Sequence, residues 1–104
     1  MEQKDIACNT LISAQRALLG VITSNIRAVS IKWEGVEKLN LRIHYDSQPT
    51  EDEVEDMEIV TAEIIADVPF HCVDPIEIIV TNEPITALKF LDRLIYLRKE
   101  VENS

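Results

Sequence analysis

Arg42, His44 and Asp46 stand at alternating positions, so on a strand they share one face, with Ser30 and Lys32 available from a neighbouring strand. A basic face carrying a histidine could perform acid–base chemistry on a phosphodiester. Catalysis there would need a partner histidine or a nucleophile at a fixed spacing from His44, and no such spacing occurs. The ordinary alternative is that these residues are the wet side of a half-buried sheet. The second histidine, His71, follows Pro69 between Phe70 and Cys72, a setting for a loop or core-edge side chain rather than a ligand.

Other familiar chemistries lack their residues. With two glycines in the chain there is no phosphate-cradling loop of the G-x-x-x-x-G-K-[ST] or G-x-G-x-x-G kind. Neither C-x-x-C nor H-E-x-x-H occurs, so no zinc site is expected. The acidic run after Thr50 carries no glycine and lacks the order of a calcium loop. The expectation is a protein without cofactor or resident metal, and not an enzyme.

That acidic run is the most informative feature. The chain carries 19 acidic and 10 basic residues, a formal net charge of −9. Eight of the 19 fall between Thr50 and Val68: Glu51, Asp52, Glu53, Glu55, Asp56, Glu58, Glu63 and Asp67. No basic residue lies among them, and the remaining 11 nearly balance the ten basic residues elsewhere. Such a balance disfavours nucleic acid and anionic membrane as ligands, since both carry phosphate charge that a binder must neutralise.

Thr50 followed by Glu53 reads as a capping box, with hydroxyl and carboxylate each satisfying a backbone donor. Carboxylates also suit a helix N-terminus. At about 100° per residue, Val54, Met57, Thr61, Ile64, Ile65 and Val68 form a core-facing stripe. Asp52, Glu55, Asp56 and Glu63 lie opposite, and Ile59 falls among them. An exposed apolar residue ringed by carboxylates resembles an interface anchor in a charged surround. The bland alternative is a solvated face with one stray isoleucine. Scattered charges would serve solubility equally, and like charges such as Asp52 and Asp56 repel by about 0.2–0.5 kcal/mol per pair. The asymmetry favours a partner surface.

The elements that position this helix follow from hydrophobic rhythm. Ile6 to Ile22 has helical spacing, with Ala7, Leu11, Ala14, Leu18 and Ile22 in a stripe flanked by Ile12, Gln15 and Leu19. From Ile26 to Trp33 the period becomes two, placing Arg27, Val29, Ile31 and Trp33 on one face. A turn at Glu34-Gly35-Val36 leads to a second strand, Lys38 to Asp46, with Leu39, Leu41, Ile43 and Tyr45 inward. The pair reads as an antiparallel hairpin with one solvated face. A third strand is expected over Val73 to Thr81, with Ile76, Ile78 and Val80 inward. Ile85 to Val101 is ambiguous: ITALKFLDRL has helical composition, and LIYLRKE suits either strand or helix.

At 104 residues the chain is expected to form a single domain, 1–104, with an aliphatic core. No signal peptide or membrane-spanning run is visible, so a cytoplasmic protein is expected, with Cys8 and Cys72 as reduced core thiols.

In length, layout and acidity the chain resembles small bacterial immunity proteins encoded beside polymorphic or contact-dependent growth-inhibition toxins. The resemblance runs from RALLGVITSNIRAVSIKWEG through LRIHYDSQPTEDEVEDMEIVTAEIIAD to LIYLRKE. It implies binding and neutralising one cognate toxin, commonly a basic nuclease domain, in the cytosol, and it brings no catalytic residues. It also implies that Leu94 to Arg98 closes the sheet as a strand. The resulting expectation is an α+β fold of order α-β-β-α-β-β, an antiparallel-rich four-stranded sheet with two helices packed on it. The expected partner surface is Asp52, Glu55, Asp56, Ile59 and Glu63. The rival functions are a homodimer or other interaction module using the sheet face or edge, and a small enzyme using His44 and Arg42.

Overall fold

The computed structural model describes residues 3–100. Helix α1 (Gln3–Leu18) leads into the hairpin of β1 (Ile26–Glu34) and β2 (Lys38–Tyr45), followed by α2 (Glu51–Asp67). The chain then forms β3 (Cys72–Val73), β4 (Glu77–Val80), a 3-10 turn at Ile85–Ala87, and β5 (Arg93–Leu97). The α+β class and the coarse element order are as expected. The sheet, however, has five strands rather than four. Asp74 and Pro75 split the expected third strand, because proline cannot donate to a ladder.

β1 lies between β2 and β5, antiparallel to both, while β3 and β4 pair one after the other along the free edge of β2. Those two pairings are parallel, so the sheet is mixed. The reason is α2, which carries the chain back from the end of β2 as a crossover connection.

Each element has a local cause. Gly20 takes a positive φ of 84° and ends α1 at Leu18, short of the expected Ile22. Gly35, at φ 54°, makes the hairpin turn, closed by the Glu37 N–H donating to the Glu34 carbonyl at 2.9 Å. The Thr50 hydroxyl accepts from the Glu53 N–H at 3.2 Å and caps α2. The other half of the expected capping box is absent: the Glu53 carboxylate instead accepts from Asn25 Nδ2 at 2.8 Å, tethering α2 to the start of β1.

One core joins Ile6, Ala14, Ala17 and Leu18 of α1 with Met57, Val60 and Ile64 of α2 and the inner face of the hairpin. In the hairpin Val29 pairs Ile43 and Ile31 pairs Leu41, all four buried. Each such aliphatic side chain contributes about 1.5–3 kcal/mol by leaving water. A bulge between Ile26 and Ala28 shifts the alternation, so Ile26, not Arg27, joins the core opposite Tyr45. The buried face of α1 is also rotated from the expected stripe. Ile6, Thr10, Ser13, Ala14, Ala17 and Leu18 are covered, whereas Ile12 and Leu19 are exposed. Small side chains there let α1 pack closely beside α2.

The opposite sheet face is not wet, contrary to expectation. Ser30, Asn40 and His44 are buried. The segment between β4 and β5 crosses this face as a strap instead of forming a helix. Its Leu91 N–H donates to the Ser30 hydroxyl at 3.0 Å, and its Phe90 ring meets His44 edge-on at 5.4 Å. Cys8 and Cys72 are free and exposed rather than core thiols, Cys8 on the solvent side of α1 and Cys72 at the sheet edge.

Candidate functional site on helix α2

The core clamps α2 through Met57, Val60, Thr61, Ile64 and Val68. Thr61 satisfies its buried hydroxyl by donating to the Met57 carbonyl one turn back, at 3.1 Å. This anchoring fixes which residues face outward. Asp52, Glu55, Ile59 and Glu63 are exposed, while Asp56 is half-buried. Glu55, Ile59 and Glu63 are four residues apart, forming a row with about 6 Å between neighbours along the axis. Ile59 is 48% exposed within it.

Among the described residues, no ion pair reaches any carboxylate of α2. The ion pairs lie elsewhere: Arg27 and Arg98 with Glu100, Arg98 with Asp46, Arg42 with Glu77, and Lys38 with Asp74. Arg93 lies over the Trp33 ring at 5.7 Å. The charge asymmetry of the sequence is thereby sharpened in space: much of the basic complement is engaged away from α2. Beneath the helix, burial pushes the Tyr45 hydroxyl up to about 12, with Glu53 and Asp56 adding to the shift.

The alternative site fares differently. His44 is 1% exposed and lies under Phe90. Burial holds its ring below the ordinary imidazole range, and the charges of Arg42 and Arg27 push the same way. Arg42 donates from Nε to Glu77 at 2.9 Å and from Nη1 to the Lys89 carbonyl at 3.0 Å. The strap therefore covers part of the face on which a phosphodiester would have to sit, leaving a hollow of about 440 Å³ that His44 lines with Val80, Thr81, Ala87 and Leu88. Asp46 is drawn away too, accepting from Arg98 at 2.7 Å.

A feature missed in the sequence lies on the other flank of α2. The helix layer stops short of the sheet edge, leaving a groove of about 460 Å³ between α2 and β3–β4. Val54, Ala62 and Ile65 form one wall, Ile76 and Ile78 the other, and Glu58 stands at the rim. Past Val54 and Glu58 it meets a second hollow of about 440 Å³ lined also by Glu51 and Glu55. Periodicity assigned Val54 and Ile65 to the core, and both are only half-buried. What periodicity could not reveal is that, among the described residues, no element covers their side of the helix.

Among the described residues no three His, Cys, Asp or Glu side chains gather as metal ligands do. No helix there is long and apolar enough to cross a membrane.

Residues 8–100 match the family described as MafI2 immunity protein. No curated protein matches the sequence. Among solved structures the chain is similar to two forms of the MamM C-terminal domain, at 13% and 14% identity, one of them a nickel form. Each match covers 79% of this chain and 100% of that one, with a TM-score of 0.42.

Proposed function

The chain belongs to the MafI2 immunity protein family, and from that premise we propose that the exposed acidic face of α2 binds and neutralises a cognate, basic toxin domain. Membership of the family implies an immunity-type protein whose partner is a toxin. The observation that carries the finer reading is the row Glu55, Ile59, Glu63, exposed and without a counter-charge from the described residues. Asp52 and Asp56 add charge on the N-terminal side of Ile59.

In this reading Ile59 seats in an apolar pocket of the toxin while the carboxylates meet Lys and Arg around it. A toxin cleft that binds RNA or DNA is lined with cations spaced for phosphates. Carboxylates on successive turns of a helix suit such a cleft and block it. The opposite charges also steer encounter, so inhibition is fast at low ionic strength. The place of action is the cytosol, where a nuclease would meet its substrate.

Co-expression with candidate toxin domains drawn from the reading frames that neighbour this chain's own tests the proposal. Wild-type protein restores growth and co-purifies with the toxin domain. The variant Glu55→Lys/Glu63→Lys, folded by circular dichroism, restores less growth and retains less toxin. Full protection and unchanged retention by that variant would place the interface elsewhere.

A further inference from the structure

We propose that the groove between α2 and the β3–β4 edge is a second subsite for the toxin, which receives an apolar segment flanked by Lys or Arg. The inference deepens the α2 reading and rests on it, because it assumes the same partner.

The groove exists because the two helices do not reach across the sheet. The inner face of β4 continues the apolar surface of β2, yet Ile76 and Ile78 remain half-buried and Val80 is 42% exposed. On α2, Val54 and Ile65 are left half-buried in the same way, with Ala62 exposed between them. Two apolar walls thus face each other without a layer on top. A volume of about 460 Å³ lies within the range of sites that hold a few side chains or a small ligand.

Charge selects the occupant. Among the described residues, no Lys or Arg lines the groove or the adjoining hollow. The carboxylates on their walls are Glu51, Glu55, Glu58 and Asp74. Asp74 is already engaged, accepting from Asn40 at 2.6 Å and pairing Lys38 at 3.2 Å. Glu51, Glu55 and Glu58 have no ion-pair partner among the described residues. An apolar side chain entering between Ala62 and Ile76 would carry its basic neighbours onto Glu58 and Glu55. A second copy of this chain would bring an acidic helix of its own to the same rim.

The outer edge of β4 supports the same occupant. β4 pairs only with β2 among the described strands, so its far side offers backbone donors and acceptors to an extended segment. Glu55 then belongs to both subsites, and the toxin would wrap the helix from its outer face to the sheet edge.

The experiment compares Kd, by calorimetry on the whole chain, for the toxin domain that the co-expression test identifies. Groove variants are Ala62→Trp, which fills the space, and Glu58→Lys, which reverses its free charge. Both positions are exposed, and a thermal melt verifies folding. The outer-face control is Asp52→Lys/Glu63→Lys. Both groove variants are expected to raise Kd about tenfold or more, as loss of an anchoring contact does. If they bind like wild type while the outer-face control is weakened, the groove proposal is wrong and the α2 reading stands. If neither set changes Kd, both fall. If light scattering shows a wild-type dimer that Ala62→Trp dissociates, a second copy fills the groove and the toxin-segment proposal is overturned.

Discussion

Arg27 and Glu100 meet through two hydrogen bonds, Nε to Oε2 at 2.8 Å and Nη2 to Oε1 at 2.7 Å. The pair links the bulge of β1 to the chain just beyond β5. It fixes the end of the sheet where Asn25 holds α2. Arg27 is buried, and its third contact is a donation from Nη1 to the Thr81 carbonyl at 3.0 Å. Glu100→Gln leaves the guanidinium beside a neutral amide. We expect a loss of about 1–3 kcal/mol in chemical denaturation, as for an unsatisfied charged group. An unchanged midpoint would mean that the pair adds nothing to the fold.

The strap over the outer sheet face makes a separate prediction. Ser30 is fully buried, and its hydroxyl accepts the Leu91 N–H at 3.0 Å. Ser30→Ala removes the acceptor while the strap still covers the site. The expected cost is about 1–3 kcal/mol, the penalty for a buried donor left without a partner. Hydrogen exchange at Leu91 should accelerate in the same variant. Exchange as slow as in wild type would show that another group protects that amide.

Stability should fall with acid in two stages. His44 has a folded-state pKa below its ordinary 6.5, chiefly through burial and then through Arg42 and Arg27. The unfolded chain therefore binds the proton first, so this contribution is complete above 6.5 and declines as pH falls through the folded-state value. Glu100 and Asp46 are held below their ordinary 4.5 and 3.8, by hydrogen bonds from Arg27 and Arg98 respectively. Their contribution is present above those values and is lost below them. Denaturation midpoints measured down the pH scale should show both stages, and His44→Gln should lack the first. Persistence of that stage in the variant would assign it to another group.

The cap of α2 is a direct test of what places the acidic face. Thr50→Ala removes the hydroxyl that accepts from Glu53. It should cost about 1 kcal/mol and loosen the first turn, where Asp52 sits. Comparing Thr50→Ala with Thr50→Ser by thermal melt checks this. Equal melting of the two would show that Asn25 and Glu53 hold the turn without the hydroxyl.

These relationships mark what could be read from the residues and what could not. The cap at Thr50, the hairpin about Gly35, the strand near Leu94 and the exposure of Ile59 were legible because each depends on local spacing or, for the strand, on resemblance. The bulge at Arg27 was not, because one inserted residue reverses a two-residue alternation without changing composition. His44 seemed destined for water because its strand alternates cleanly. Only the path of the strap, with Phe90 and Leu91 crossing the sheet, shows otherwise. The groove beside Ile65 was hidden for the converse reason: helical periodicity says which side is apolar, not how far the neighbouring layer extends. The exposure of Cys8 followed from a small rotation of α1 that the small side chains of Ser13, Ala14 and Ala17 on its buried face tolerate.

The central claim is that α2 presents charge to a cationic toxin domain. Its most direct test is the association rate of that domain with wild-type protein and with Glu55→Lys/Asp56→Lys, measured by stopped flow at low and at high salt. The account predicts that wild-type association is fast at low salt and slows steeply as salt screens the charges. The variant should associate more slowly, with the difference greatest at low salt. Equal rates and equal salt dependence for the two proteins would contradict it.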